Sequence, residues 1–161
     1  MVHCSHKYRV YPTGEQKGLL AKTFGCVRFV WNNILDWRRK EYVQNGTKID
    51  FAESSSRLTE LKRQSEFIWL NEVSSIVLQQ ALRNQDKAFS NFFAKRAEYP
   101  TFKSKHKKQS FRLTSNGFRI KDEKLFIAKS DEPFHFVLSR PLPDSITSIT
   151  ISKDRAGRYF V

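Results

Sequence analysis

The hydrophobic period of this chain changes at Pro100, and that change limits the fold more than any single motif does. Before it, Leu20, Phe24, Val27, Trp31 and Ile34 recur at helical spacing and predict one buried helix face over about residues 14–43. After it, "SFRL", "GFRI", "KLFI", "FHFVL", "SITSITI" and "RYFV" are short, β-rich and separated by turn residues. At the start, "HKYRVY" (6–11) alternates with period two and reads as a strand ended by Pro12. The prediction is an α+β fold: a small antiparallel β-barrel interrupted by an inserted helical bundle. Residues 1–12 supply the first barrel strand, 13–98 the helical insertion and 99–161 the remaining strands.

Local signals sharpen the elements. Thr13 with Gln16, and Asp50 with Glu53, form capping boxes ahead of the first helix and of a second one over about 51–64 that carries Leu58 and Leu61. Asn45-Gly46 ends the first helix. Gly25, inside it, costs about 1 kcal/mol relative to Ala and predicts the close approach of a neighbour. The third helix, "NEVSSIVLQQALRNQDKAFSNFFAKRAE", takes Asn71 as its cap. Its apolar face is Val77, Leu78, Ala81, Leu82, Ala88, Phe89, Phe92 and Phe93. "KDEK" (121–124) and "DRAG" (154–157) read as hairpin turns, with Gly157 at positive φ. The chain stops at Val161 inside an apparent strand, which predicts that more once followed.

Of 161 residues 39% are hydrophobic, 14 of them phenylalanine, so a real core can form. A formal charge of +13 favours a large anionic partner, and nucleic acid is the commonest. A membrane surface is the rival, but no apolar run approaches the roughly 20 residues of a bilayer span. The start lacks a signal-peptide stretch, which predicts a cytoplasmic protein. Two cysteines, Cys4 and Cys26, make neither a disulfide framework nor a metal pair. In "HCSH" an extended backbone would turn Cys4 and His6 to one side and His3 to the other, as in a half-buried strand.

Catalytic motifs are missing: there is no H-E-x-x-H, C-x-x-C, G-x-S-x-G or phosphate-binding glycine loop. Glu15, Asp50, Glu53 and Glu72 fall in helix first turns, where the dipole favours them. Asp36 and Asp86 are the carboxylates that could meet across the bundle at a metal.

Binding residues are easier to find. "YPTFKSKHKKQSFRL" (99–113) sets Tyr99, Phe102 and Phe111 among Lys103, Lys105, Lys107, Lys108 and Arg112. Lysines release counterions from phosphates, while rings stack on bases or anchor the loop. The alternative is a surface loop with Tyr99 and Phe102 packed inward. Gln80, Asn84, Lys87 and Asn91 follow i, i+4, i+7, i+11 spacing, which suits either a binding row or a solvated helix face. Arg38 and Arg39 of "WRRKEY" face the same choice.

With these segments in order, the chain resembles the N-terminal region of TnpB (OrfB-type) proteins, transposon-encoded RNA-guided nucleases related to type V CRISPR effectors. The resemblance rests on "YRVYPTGEQKGLLAKTFGCVRFVWNNIL" (8–35), "WLNEVSSIVLQQALRNQDKAFSNFF" (69–93), the stretch 99–113 and "SITISKDRAGRYFV" (148–161). It implies a wedge barrel interrupted by a helical recognition domain, together gripping a structured guide RNA and the guide–target DNA heteroduplex. It also implies a helix-turn-helix label for the first helices. Lys103, Lys105, Lys107 and Lys108 become expected RNA-phosphate contacts; Gln80, Asn84 and Lys87 lie on the helix expected to face the heteroduplex. Tyr8, Arg9, Tyr11 and Pro12 match the opening strand, and of these Arg9 and Tyr11 are expected nucleic-acid contacts, Tyr11 being either structural or nucleic-acid-facing. In the family a RuvC-like domain with metal-binding carboxylates, then a cysteine zinc site, follows the "RYFV"-type strand. This sequence has no corresponding positions, so the resemblance implies no catalytic residue and no magnesium or zinc site here. The expectation is a non-catalytic RNA- and DNA-binding remnant; the alternatives are a helix-turn-helix regulator and a decayed fragment without function.

Overall fold

A computed structural model describes residues 3–161. The elements run β1 (Arg9–Val10), α1 (Gly14–Asn45), α2 (Phe51–Arg63), a 3-10 segment (Ser65–Glu72), α3 (Ser75–Phe93), β2 (Gln109–Thr114), β3 (Phe118–Lys121), β4 (Lys124–Ile127), β5 (Ser148–Lys153) and β6 (Tyr159–Phe160). Both predicted capping boxes form, at Thr13/Gln16 and at Asp50/Glu53, each satisfying backbone amides that the first helical turn leaves free. Gly46 closes α1 in the left-handed region at φ 65°.

The third helix starts later than its sequence suggests. Asn71 does not cap it; its side chain donates to the Lys62 and Ile68 carbonyls and holds the 3-10 segment. Ser74 caps instead, accepting from the Ile76 amide. At the far end α3 stops at Phe93, short of the predicted run. Gly25 meets no close neighbour either: an added Cβ would lie 3.9 Å from the Arg28 guanidinium. The tight glycine is Gly117, where a Cβ would fall 2.7 Å from a Leu113 methyl.

Strands β1, β6, β5 and β2, in that order, form one antiparallel sheet, and β3 and β4 form a separate hairpin. That hairpin turns through Asp122 and Glu123, both at positive φ, as a two-residue connection between twisted strands requires. Gly157, φ 83°, closes the turn before β6. The opening strand is shorter than predicted: residues 3–8 are not strand, and His3 and Cys4 are exposed. "FHFVL" makes isolated bridges, Phe134 to Leu125 and Phe136 to Val10, rather than a strand. These bridges join the hairpin to the β1 edge, but β2 and β3 share no ladder, so the described strands leave the expected barrel open.

Helices and sheet share one core. Leu20, Val27, Val77 and Leu78 from the helices meet Phe111, Leu113 and Ile151 from the sheet. Phe24 lies 5.3 Å from Phe111, ring to ring. Each such side chain, fully buried, contributes about 1.5–3 kcal/mol relative to exposure. Cys26 belongs to this core, and burial, reinforced by Glu72, pushes its thiol up to about 11. Among the described residues no helix is long and apolar enough to cross a membrane.

Candidate nucleic-acid interface

Strand alternation builds the surface. Phe111, Leu113, Ile149 and Ile151 face the core, so Ser110, Arg112, Thr150 and Ser152 fall on the other face of β2 and β5. Registry carries that face onward: Ser152 pairs with Phe160, and Phe160 with Arg9. Three sequence-predicted residues, Arg9, Arg112 and Tyr11 just beyond β1, therefore share one side of the sheet or its margin. The Arg9 guanidinium sits 5.0 Å from the Tyr11 ring and 5.5 Å from Phe160, and Lys7 lies 4.1 Å from Phe160. Tyr11 is 52% exposed.

At the β2 edge, α1 fixes the basic segment. Trp31 donates through Nε1 to the Thr101 carbonyl at 2.9 Å. Asn32 donates to the Lys103 carbonyl at 3.0 Å and accepts from the Lys103 amide at 2.8 Å, as a strand partner would. Arg28 donates to Gln109, whose amide in turn holds the Ser104 and Lys107 carbonyls. The backbone from 101 to 109 is thus tied down by side chains, while Lys105, Lys107 and Lys108 stay exposed. Phe111 is the buried ring of the segment; Tyr99 and Phe102 stay at the surface, against the inward-packed alternative.

Around this edge three clefts share lining residues. One of about 240 Å³ is lined by Asn84 of α3, Lys103 of the loop and Arg112 of β2, with Ser110 and Thr150. Gln80 donates to Asn84 at 3.0 Å and orients its amide. A neighbouring cleft of about 160 Å³ shares Lys103 and Ser110 and adds Arg28, Lys107 and Lys108. The largest, about 840 Å³, shares Arg112 and Thr150 and extends past Ser152 to Lys7 and Phe160. Together they form a cationic track from the loop to the sheet face.

The cations on this track are unneutralised. Among the described residues the ion pairs are Lys22–Glu72, Arg38–Asp86, Lys40–Asp36, Arg57–Glu60 and Arg158–Asp154, and none involves Lys103, Lys105, Lys107, Lys108 or Arg112. Arg112 donates to the Ser148 hydroxyl at 2.9 Å. Lys103 is exposed as a residue, yet neighbouring atoms crowd its ammonium, 4.5 Å from the Trp31 ring, and this desolvation lowers its pKa. A phosphate is the kind of partner that would favour its charged form.

Arg38 needs correction. It is 4% exposed, donates to the Ser54 hydroxyl at 2.8 and 3.1 Å and pairs with Asp86 at 3.3 Å. It ties α1 to α2 and α3 and is withdrawn from any ligand. Arg39, the next residue, is exposed, with its guanidinium 5.5 Å from the Phe102 ring. Lys87 is exposed on α3 but outside the clefts, as is Lys105 at the loop turn.

Asp36 and Asp86 are each engaged by a cation, Cys26 is buried, and among the described residues no three His, Cys, Asp or Glu side chains converge. The residues that sequence reasoning missed are Arg28, Trp31, Asn32, Gln109 and Thr150. Trp31 and Asn32 find their partners about 70 positions away, so no local spacing announces them.

Comparison with known proteins follows the same segments. Residues 1–47 match a family model described as a helix-turn-helix domain of the OrfB/IS605 type. In the structure the described part of that region holds β1 and one continuous helix, α1, up to Gly46. A candidate RNA-guided DNA endonuclease of Streptomyces pristinaespiralis is 46% identical over 96% of this chain and 39% of its own length. The Escherichia coli K12 protein InsQ, described in the same terms, is 28% identical over 96% of this chain and 38% of its length. Virulence protein VsdF of Salmonella dublin is 36% identical over 63% of this chain and 93% of its own length. The chain spans about two fifths of the first two relatives.

Proposed function

This chain belongs to the TnpB (OrfB-type) family, and from that premise we propose that it grips a structured guide RNA and target DNA along the cationic track, without cutting either. The observation that carries the reading is the meeting of Asn84, Lys103 and Arg112, from three separate elements, around one cleft with no acid to neutralise the two cations. Lysines and Arg112 take phosphates, while the Gln80–Asn84 pair offers amide donors and acceptors to sugar hydroxyls or base edges. Binding without cleavage accords with the two carboxylates that could have met across the bundle, Asp36 and Asp86, each of which is paired with a cation.

The test is binding of the transposon-end RNA as a function of salt. With roughly 5 phosphates neutralised, log affinity falls against log salt with a slope of about −3.5 to −4.5. Replacing Lys103, Lys105, Lys107 and Lys108 together by Gln lowers that slope by about 3 and leaves the melting temperature in place. A flat salt response, or unchanged affinity in this variant, overturns the reading. The helix-turn-helix match favours a second reading, a DNA-binding regulator. It requires tight duplex binding without RNA; a gel shift of operator-like duplex against the RNA separates the two.

A further inference from the structure

An aromatic surface lies where the C-terminal ends of α1 and α3 meet the segment entering the basic loop. Tyr42, Phe93, Tyr99 and Phe102 are 50%, 46%, 36% and 44% exposed. They are not scattered. Half-buried Phe92 adjoins them, 5.3 Å from Phe93 and 5.1 Å from Tyr99, ring to ring. Tyr42 is near enough to Tyr99 to act on its ionisation, as is Arg39. Two cations cover the rings: Lys48 is 4.3 Å from the centre of Phe93 and Arg39 is 5.5 Å from that of Phe102. Neither belongs to an ion pair among the described residues.

Resting on the nucleic-acid reading above, we propose that this patch is a stacking platform for unpaired bases of a single strand whose phosphates continue into the track at Lys103. A base has a π-face to lay on Phe93 or Phe102, and a phosphate to take the cation it displaces from the ring. The charge argues for this occupant. A second copy of a chain carrying +13 would bring Arg39 and Lys48 against like charges, whereas a polyanion neutralises them. Continuity argues for it too, since Phe102 adjoins Lys103, whose amide and carbonyl Asn32 holds in place. The platform adds a salt-insensitive contribution to a surface otherwise dominated by phosphate contacts.

The experiment uses the full chain, a riboadenylate strand of about twelve nucleotides carrying one 2-aminopurine, and an abasic strand of equal length. Tyr42→Ala, Phe93→Ala and Phe102→Ala are combined in one variant. It is expected to lose at least about tenfold in affinity for the base-bearing strand, at unchanged salt slope, and to lose 2-aminopurine quenching. Affinity for the abasic strand stays as it was. Circular dichroism checks folding, and Phe93→Trp with Phe102→Trp retains binding and quenching. If the alanine variant keeps affinity and quenching while the four-lysine variant loses binding, the platform fails and the track reading stands. Equal loss on the abasic strand overturns it as well. If instead neither variant alters binding, both readings fall. Sedimentation showing a self-associated wild type that the alanine variant converts to monomer, with binding unchanged, assigns the patch to a second copy and also overturns the proposal.

Discussion

Arg38 and Arg39 are neighbours in sequence and opposites in role. A helix turns about 100° per residue, so one step carries the guanidinium from the Ser54–Asp86 junction to the surface beside Phe102. Removing the inner one strands the Ser54 hydroxyl and the partly exposed Asp86 carboxylate. Arg38→Met is therefore expected to destabilise the fold by about 2 kcal/mol in urea denaturation, with RNA affinity of the folded protein changed less than about twofold. Arg39→Gln should do the reverse: stability within about 0.5 kcal/mol of wild type and RNA affinity lowered severalfold.

At the scale of elements, the basic loop is held by α1 together with its own Gln109. Asn32 imitates a strand partner for Lys103, and Trp31 and Gln109 complete the tether. Asn32→Ala removes two hydrogen bonds that are each worth about 1 kcal/mol. The expected result is faster hydrogen exchange at the Lys103 amide, by roughly tenfold, with α1 amides protected as before. RNA affinity should fall although no charge is lost, because Lys103 no longer stands fixed at the junction of two clefts. Unaltered exchange at Lys103 would mean that the loop is ordered by something else. The hairpin turns and caps need no such help, since Asp122–Glu123, Gly157, Thr13 and Asp50 act on backbone within four residues of themselves.

For the whole molecule, the helical insertion and the sheet do not have separate interiors. Leu20 and Val77 share a core with Leu113 and Ile151, and the track crosses from α3 to β6 over that common support. Unfolding is accordingly expected as one transition, with near-ultraviolet and far-ultraviolet dichroism coincident in denaturant. Two separated transitions would show that the helices stand alone. Saturating RNA at 100 times its dissociation constant should raise the stability by about 2.7 kcal/mol, with both signals still moving together.

What depends on neighbours along the chain was legible without coordinates. The period change at Pro100, both capping boxes, the Gly46 and Gly157 positions, the buried stripe of α1 and the lysine cluster all follow from local sterics, local hydrogen bonds and composition. The fold decided what depends on distant partners. It settled which arginine of Arg38 and Arg39 turns inward, that Ser74 rather than Asn71 caps α3, that β1, β6, β5 and β2 pair in that order, and that Asn84, Lys103 and Arg112 meet. The physical reason is common to all four. A polar side chain takes whichever partner the packed core brings within hydrogen-bond distance, and packing joins residues that no local period relates.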